Sequence, residues 1–554
     1  MVQRRDGADF PRAHAEGTRD PTNNGVHVVG VGRHDARCQG KKCNGAGAKG
    51  GGGGHGRGAF KKARIIRGPR GAAHGHFISR RVGEKNGRKT MSQPLWSQSA
   101  TTLARMIRER EVSSREVVEA HLARIEAVNG QVNAVTVVLA ESALAAADEA
   151  DRTAPSGAFH GVPFSIKENI DCVGSATTQG LPALKDAIPL VDGPTVERMK
   201  AAGAIPLART NLPEMGLRID TENPLRGRTY NPWNPEVAVG GSSGGEGAAL
   251  ATGMSPLGLG NDIGGSLRNP AFCCGITSIK ATPGRIPWAL SLVPAEQTIA
   301  YGLMISEGPM ARTVADVKAA YDVLVGWHPR DPFSVSAALE GPPVKAKRVA
   351  LVTEVPGATL PAPFVAAIER AGDVLKQAGW EVRYAAPPEL ERVHEVWAHL
   401  LMGDVLPSAP MLKAVMSPEA AAMLHQLGER YPASAMPPDV IHRERYRLSQ
   451  HWSAFFQDCP LVIGPGWTDW PFSIGSDLDP ASGIDTTLNR LRFVTPGNLL
   501  GLPAMPVPLG VEQGLPVAVQ LYADRWREDL CFEAAGLLEA AVGIFTPIAP
   551  QGSA

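Results

Sequence analysis

The 554-residue chain carries 56 Lys+Arg against 55 Asp+Glu and is 43% hydrophobic, a balance that excludes a uniformly charged or intrinsically disordered protein and allows a large buried core. Its seven cysteines are scattered, with no CxxC pair, which argues against a disulfide framework or a zinc ribbon and suits a reducing compartment such as the cytoplasm. No apolar run approaches the roughly 18 residues that span a bilayer, and no secretory signal is recognisable at the start.

The charge balance conceals a split. Residues 1–90 hold 20 Lys+Arg against 6 Asp+Glu, 20 of the 61 glycines and 6 of the 14 histidines, including the run "GAGAKGGGGGHGRG". Such a segment lacks the apolar surface needed to offset its ordering entropy, so residues 1–90 are expected to be a disordered, basic extension. One reading makes it a nucleic-acid-binding arm, and this is the rival of another class for the whole chain. A targeting peptide fits less well, because the segment has acids and lacks an amphipathic Arg/Ser pattern. The favoured expectation is upstream sequence ahead of a true start at Met91, with residues 91–554 as the folded domain.

Beyond Ser99 the pattern turns helical. "SSREVVEAHLARIEAVN" places a capping box at Ser113 and Glu116, puts Val117, Val118, His121, Leu122 and Ile125 on one face, and predicts a stop at Asn129–Gly130. A strand "NAVTVVL" and an Ala-rich helix over 141–152 follow. Next comes a buried strand "GVPFSIKENI" carrying Lys167, then helix, glycine stop and strand in "TVERMKAAGAIPLART". Further on, "KRVALVTE", a helix over 362–377 and "WEVRYAAP" read as a β-α-β unit. The region 385–458 reads as irregular helix, "PLVIGPGW", "GLPAMPVPLG" and "VAVQLYA" as late strands, and 527–542 as a closing helix. Strands alternating with helices indicate α/β layering.

The loop "VGGSSGGEGAAL" surrenders four side chains to glycine around Ser242 and Ser243. A phosphate cradle would need Lys after the second glycine, and none is there. "GLGNDIGG" misses a dinucleotide fingerprint by one place. Gly241-Ser-Ser243-Gly-Gly245 satisfies the nucleophile elbow of α/β-hydrolases, but that triad needs a late histidine, and the last is His451. A third arrangement runs in order through "SIKEN" with Lys167, "GGSSGG" with Ser242 and "NDIGGSLRNP" with Ser266, separated by 75 and 24 residues.

These three motifs, with "NPLRGRTYNPWNP" and "FCCGI" around them, resemble the amidase signature family over essentially all of 95–545, and look particularly like fatty-acid amide hydrolase and its bacterial relatives. The resemblance implies an α/β/α sandwich around a large mixed twisted sheet and the hydrolysis of a carboxamide to carboxylate plus ammonia or amine. It implies Ser266 as the nucleophile that forms an acyl-enzyme. Ser242, joined to the preceding residue by a cis peptide, relays the proton, and Lys167 acts as base and then acid. The backbone N–H groups of Ile263, Gly264, Gly265 and Ser266 form the oxyanion hole. No metal or organic cofactor is implied, the partner is a small-molecule amide, and homodimerisation is a habit of the family. The chief rival inside the family is the amidase component of a glutamyl-tRNA(Gln) amidotransferase, although the tyrosine-rich segment expected of it is missing from 425–460.

The chemistry is consistent with these roles. A lysine of ordinary pKa, about 10.4, is almost never neutral at pH 7, and bringing it near 7 needs roughly 4 to 5 kcal/mol of differential interaction, which burial in "GVPFSI" is expected to supply. Asp262 and Arg268 are read as a structural pair bracing the loop, Cys273 and Cys274 as small buried hydrophobes, and His160 as a loop contact. Glu168 is expected to face away from Lys167. Trp467 and Trp470 are candidates for the acyl pocket or for the core, and specificity is expected in 290–310 and 390–475.

Overall fold

The computed structural model describes residues 93–291 and 297–551; the expectations for residues 1–90 and for a start at Met91 lie outside them. Thirteen strands are present among the described residues. β1 (Val135–Val138), β2 (Pro163–Lys167), β3 (Ile205–Thr210), β6 (Leu257–Asp262), β7 (Thr277–Ser278) and β8 (Ser306–Ala311) form one sheet in the order β1-β3-β2-β6-β8-β7, with β4 (Glu222–Asn223) and β5 (Gly227–Arg228) pairing as a separate short hairpin. The second sheet takes β9 (Arg348–Leu351), β10 (Glu381–Tyr384), β11 (Leu461–Pro465), β12 (Ala504–Glu512) and β13 (Leu515–Ala523) in the order β10-β9-β11-β13-β12. The two sheets meet edge to edge. Lys280, just past β7, exchanges both backbone hydrogen bonds with Ala504 of β12 at 2.9 Å each.

Both sheets are mixed. The central strands β3, β2 and β6 run parallel, flanked by antiparallel β1 and β8. β2 is buried along its whole length, as expected of a parallel strand covered on both faces, which is why its sequence reads as an apolar run rather than an alternation. The predicted β-α-β unit forms as β9, the helix Ala362–Gln377 and parallel β10. Mixed sheets interleaved in the chain with helices match the expected α/β architecture.

The first long helix, Ser114–Val132, starts at the predicted capping box: Ser113 Oγ accepts from Glu116 N–H and the Glu116 carboxylate accepts from Ser113 N–H, an arrangement worth about 1 kcal/mol. Its end differs from expectation. The helix runs through Asn129–Gly130 to Val132, and Asn133 takes the left-handed conformation (φ 48°). Asn129 instead turns its side-chain oxygen to the N–H groups of Ala134 and Val135, steering the chain into β1. No helix among the described residues is long and apolar enough to cross a membrane.

Candidate active site

Lys167 ends β2 and Asp262 ends β6, its parallel neighbour. The carboxyl ends of parallel strands are where open α/β sheets leave a crevice for ligands. Residues 263–267 leave β6 at that end and lead into the helix Arg268–Cys274, while Ser243 caps the helix Gly244–Ala251. The two loops touch through Ser243 N–H, which donates to Ser266 O at 3.3 Å. The Gly241–Ser242 peptide is cis, as the resemblance implies. Gly241 admits no side chain, since a Cβ there would lie 2.6 Å from Arg218 O.

Lys167 is fully buried. Its Nζ donates to Ser242 Oγ at 2.7 Å and to Asn261 Oδ1 at 2.7 Å, and Asn169 in turn brackets Asn261, accepting from its Nδ2 at 3.0 Å. Burial pulls the ammonium pKa down to about 7 against the opposing charges of Asp262, Glu246 and Glu307. Those two glutamates are themselves buried, and burial lifts Glu246 to about 7 and Glu307 to about 8. A lysine poised this way is neutral often enough near pH 7 to accept a proton.

Ser266 borders two cavities. One, of about 250 Å³, is bordered by Ser242, Asn261, Trp288, Tyr301 and Met411 among others, and the other, of about 70 Å³, by Trp397, Leu401, Leu427 and Tyr431 among others. Among the described residues no acceptor is assigned to the backbone N–H of Ile263, Gly264 or Ser266. Gly265 differs from expectation: its N–H donates to Asp262 Oδ1 at 2.7 Å, so it is engaged in holding the loop rather than free for an oxyanion. Trp397 lies over Gly264 and donates through Nε1 to Ile263 O at 3.1 Å.

The loop is braced from below. Arg268 pairs with Asp262 at 2.9 Å, both wholly buried, and donates onward to Val494 O, Gln520 Oε1 and Asn498 Oδ1. Burial alone would raise the Asp262 carboxyl, but the Arg268 charge outweighs it and the net value falls to about 2. The structural pair expected from sequence therefore forms.

Cys273 and Cys274 are buried, and burial pushes both thiols up, as fits small core residues. His160 accepts from Ser156 N–H in its own loop and bonds Ala150 O in the preceding helix, Ala140–Arg152. Glu168 turns instead to Arg226 at 2.5 Å. Of the two pocket candidates, Trp467 is core: it is fully buried, donates to Asn269 Oδ1 at 2.8 Å and stacks on Phe472. Trp470 packs edge-on against Phe364. Neither borders the cavities at Ser266. The aromatic walls come from Trp288, Tyr301, Trp397 and Tyr431, mostly inside the spans expected to govern specificity. Sequence reasoning missed Asn261, Asn169, Glu246 and Glu307. Glu246 had a legible signal, as the lone charge in the otherwise apolar helix "GGEGAALA".

At the carboxyl ends of β2 and β6, Lys167 thus bonds Ser242, and Ser242 and Ser266 border one cavity on a mixed α/β sheet. The family model described as Amidase matches residues 116–532. The chain is 38% identical over 462 residues to an indoleacetamide hydrolase of Bradyrhizobium diazoefficiens, covering 81% of this chain and 88% of that protein. It is also 32% identical to a glutamyl-tRNA(Gln) amidotransferase subunit of Salinispora tropica, over 82% and 99% of the two chains. A solved structure of 6-aminohexanoate cyclic dimer hydrolase complexed with substrate superposes with a TM-score of 0.71 at 30% identity, over 82% of this chain and 99% of that one. The chain belongs to the amidase signature family, whose members include hydrolases acting on amides.

Proposed function

We propose that the protein hydrolyses a carboxamide through a Ser–Ser–Lys triad and an acyl-enzyme. The hydrogen bond from a fully buried Lys167 Nζ to Ser242 Oγ at 2.7 Å carries the reading. Neutral Lys167 draws the Ser242 proton as Ser242 takes that of Ser266, and Ser266 Oγ bonds to the amide carbonyl carbon. The oxyanion is received by the N–H groups of Ile263, Gly264 and Ser266. The proton then returns through Ser242 to the leaving nitrogen, the C–N bond breaks, and water releases the carboxylate by the same path.

For the acyl group we propose a small, apolar, aromatic-bearing acid such as an arylacetic acid. Two supports are the likeness to an indoleacetamide hydrolase and the Trp288–Tyr301 ring pair, 5.8 Å apart, in the larger cavity wall. At about 250 Å³ that cavity is smaller than the roughly 300–1,000 Å³ typical of drug-sized ligands, which argues against the long acyl chains of fatty-acid amides. No Lys, Arg or His is among its described lining residues. Glutamine would bring an α-carboxylate that no cation among the described lining residues pairs, which argues against the amidotransferase reading. The proposal extends to a cytoplasmic enzyme whose catalytic domain is residues 91–554 and which turns over without a partner protein. Its homodimeric assembly is carried over from the resemblance and checked by light scattering.

The test is ammonia release by the purified chain alone from indole-3-acetamide, phenylacetamide, a long-chain fatty amide and glutamine. Hydrolysis of the arylacetamides, lost in Ser266→Ala, is the expected result. Preference for the fatty amide, or glutamine hydrolysis confined to mixtures with partner proteins and charged tRNA, would overturn it.

A further inference from the structure

Lys167 and Ser242 sit on separate elements, 75 residues apart in the chain, and their 2.7 Å contact requires that strand and loop be held in register. The bond between them does not supply that register, because it forms only once both are in place. Four residues beyond Ser242, Glu246 occupies the first turn of the helix Gly244–Ala251 and is fully buried. Its Oε2 accepts from Ser165 Oγ at 2.6 Å, and its Oε1 accepts from Thr210 Oγ1 at 2.7 Å.

Both donors are placed around the lysine. Ser165 lies two residues before Lys167 on β2 and so shares its face, while Thr210 is the β3 residue directly opposite Lys167. The carboxylate is therefore clamped beside the lysine by the strand that carries it and by that strand's neighbour. The space is shaped for it: a Cβ at Gly258, on the other side of β2, would lie 2.1 Å from Glu246 Oε2.

We infer that Glu246 is a positioning residue for the triad, pinning the helix that follows Ser242 onto β2 and β3 so that the serine hydroxyl meets Lys167. This rests on the Ser–Ser–Lys reading above. Neither oxygen of Glu246 contacts Ser242, Ser266 or the cavity, so it takes no part in bond making. Its charge, in the ionised fraction, nevertheless acts on Lys167, as do those of Asp262 and of ionised Glu307, the other carboxylates that oppose the loss of the lysine's proton. Ionised Glu246 favours the ammonium, and a neutral replacement releases the lysine's proton at lower pH.

The test is the pH dependence with which a fluorophosphonate labels Ser266 in the full chain, a readout that needs no identified substrate. In Glu246→Gln, which can still accept from one hydroxyl and donate to the other, labelling persists and the acid limb of its rate moves down by at most about one pH unit, since Glu246 is itself partly protonated near 7. Thr210→Val, which keeps the shape and removes one donor to the carboxylate, moves the limb in the same direction and serves if the Gln variant does not fold. Limbs that overlay wild type in whichever variants fold would overturn the inference while leaving the triad standing. Absence of labelling in wild type would overturn the triad and this inference together.

Discussion

Lys167 Nζ stands 2.7 Å from Ser242 Oγ, both side chains buried, and the pKa that burial imposes on the lysine, about 7, governs when the pair can act. The base must be neutral, so kcat/KM is expected to rise with pH through about 7 and level off above it. Lys167→Ala should lower kcat by about 10²–10⁴-fold, and a rate profile measured across the neutral range checks both statements.

The same depressed pKa has a thermodynamic cost. The folded lysine releases its proton near 7 and the unfolded one near 10.5, so the unfolded chain binds more protons between those values and stability rises with pH across that window. The penalty is fully present below about pH 7 and gone above about 10.5. Lys167→Met is expected to be inactive and to raise Tm relative to wild type in mildly acidic buffer, the gain shrinking as pH approaches the unfolded value. Thermal scans at several pH values measure it, and a gain independent of pH would contradict the account.

Ser266→Ala removes the atom proposed to form the acyl-enzyme and should cost about 10³-fold or more in kcat. Ser242→Ala should retain the Ser266 hydroxyl but lose its route to Lys167, and so should label far more slowly with a fluorophosphonate. Mass spectrometry of the labelled protein separates the two roles.

Arg268 is the cation for a carboxylate with no access to water. Arg268→Met would leave Asp262 buried and uncompensated, and the expected loss is about 3–5 kcal/mol of stability. Because Asp262 also receives the N–H of Gly265 and of Leu267, activity should fall further than stability alone explains, as measured by kcat at a temperature where the variant is folded.

Gly265 combines a φ of +98° with a site where a Cβ would lie 2.4 Å from Asn269 Oδ1 and from Val494 Cγ1. Gly265→Ala is expected to lower Tm and, by moving the neighbouring N–H groups of Gly264 and Ser266, to lower kcat more than it raises KM.

By itself the sequence determined the capping box at Ser113, the strand carrying Lys167 and the β-α-β unit, because each is encoded by neighbours in the chain through side-chain periodicity and glycine placement, while the triad candidates came from the order of three motifs and the family resemblance they carry. Only the tertiary structure decided that Gly265 N–H turns to Asp262, that Trp467 belongs to the core while Trp288 and Tyr301 wall the cavity, and that Asn261 and Glu246 attend Lys167. Those facts depend on groups brought together from distant parts of the chain, such as Trp467 on Asn269, 198 residues apart. Even the helix end at Asn133 rather than Asn129 followed from the route into β1. A buried polar atom takes whichever partner the packing of distant strands delivers, and spacing along the chain does not specify it.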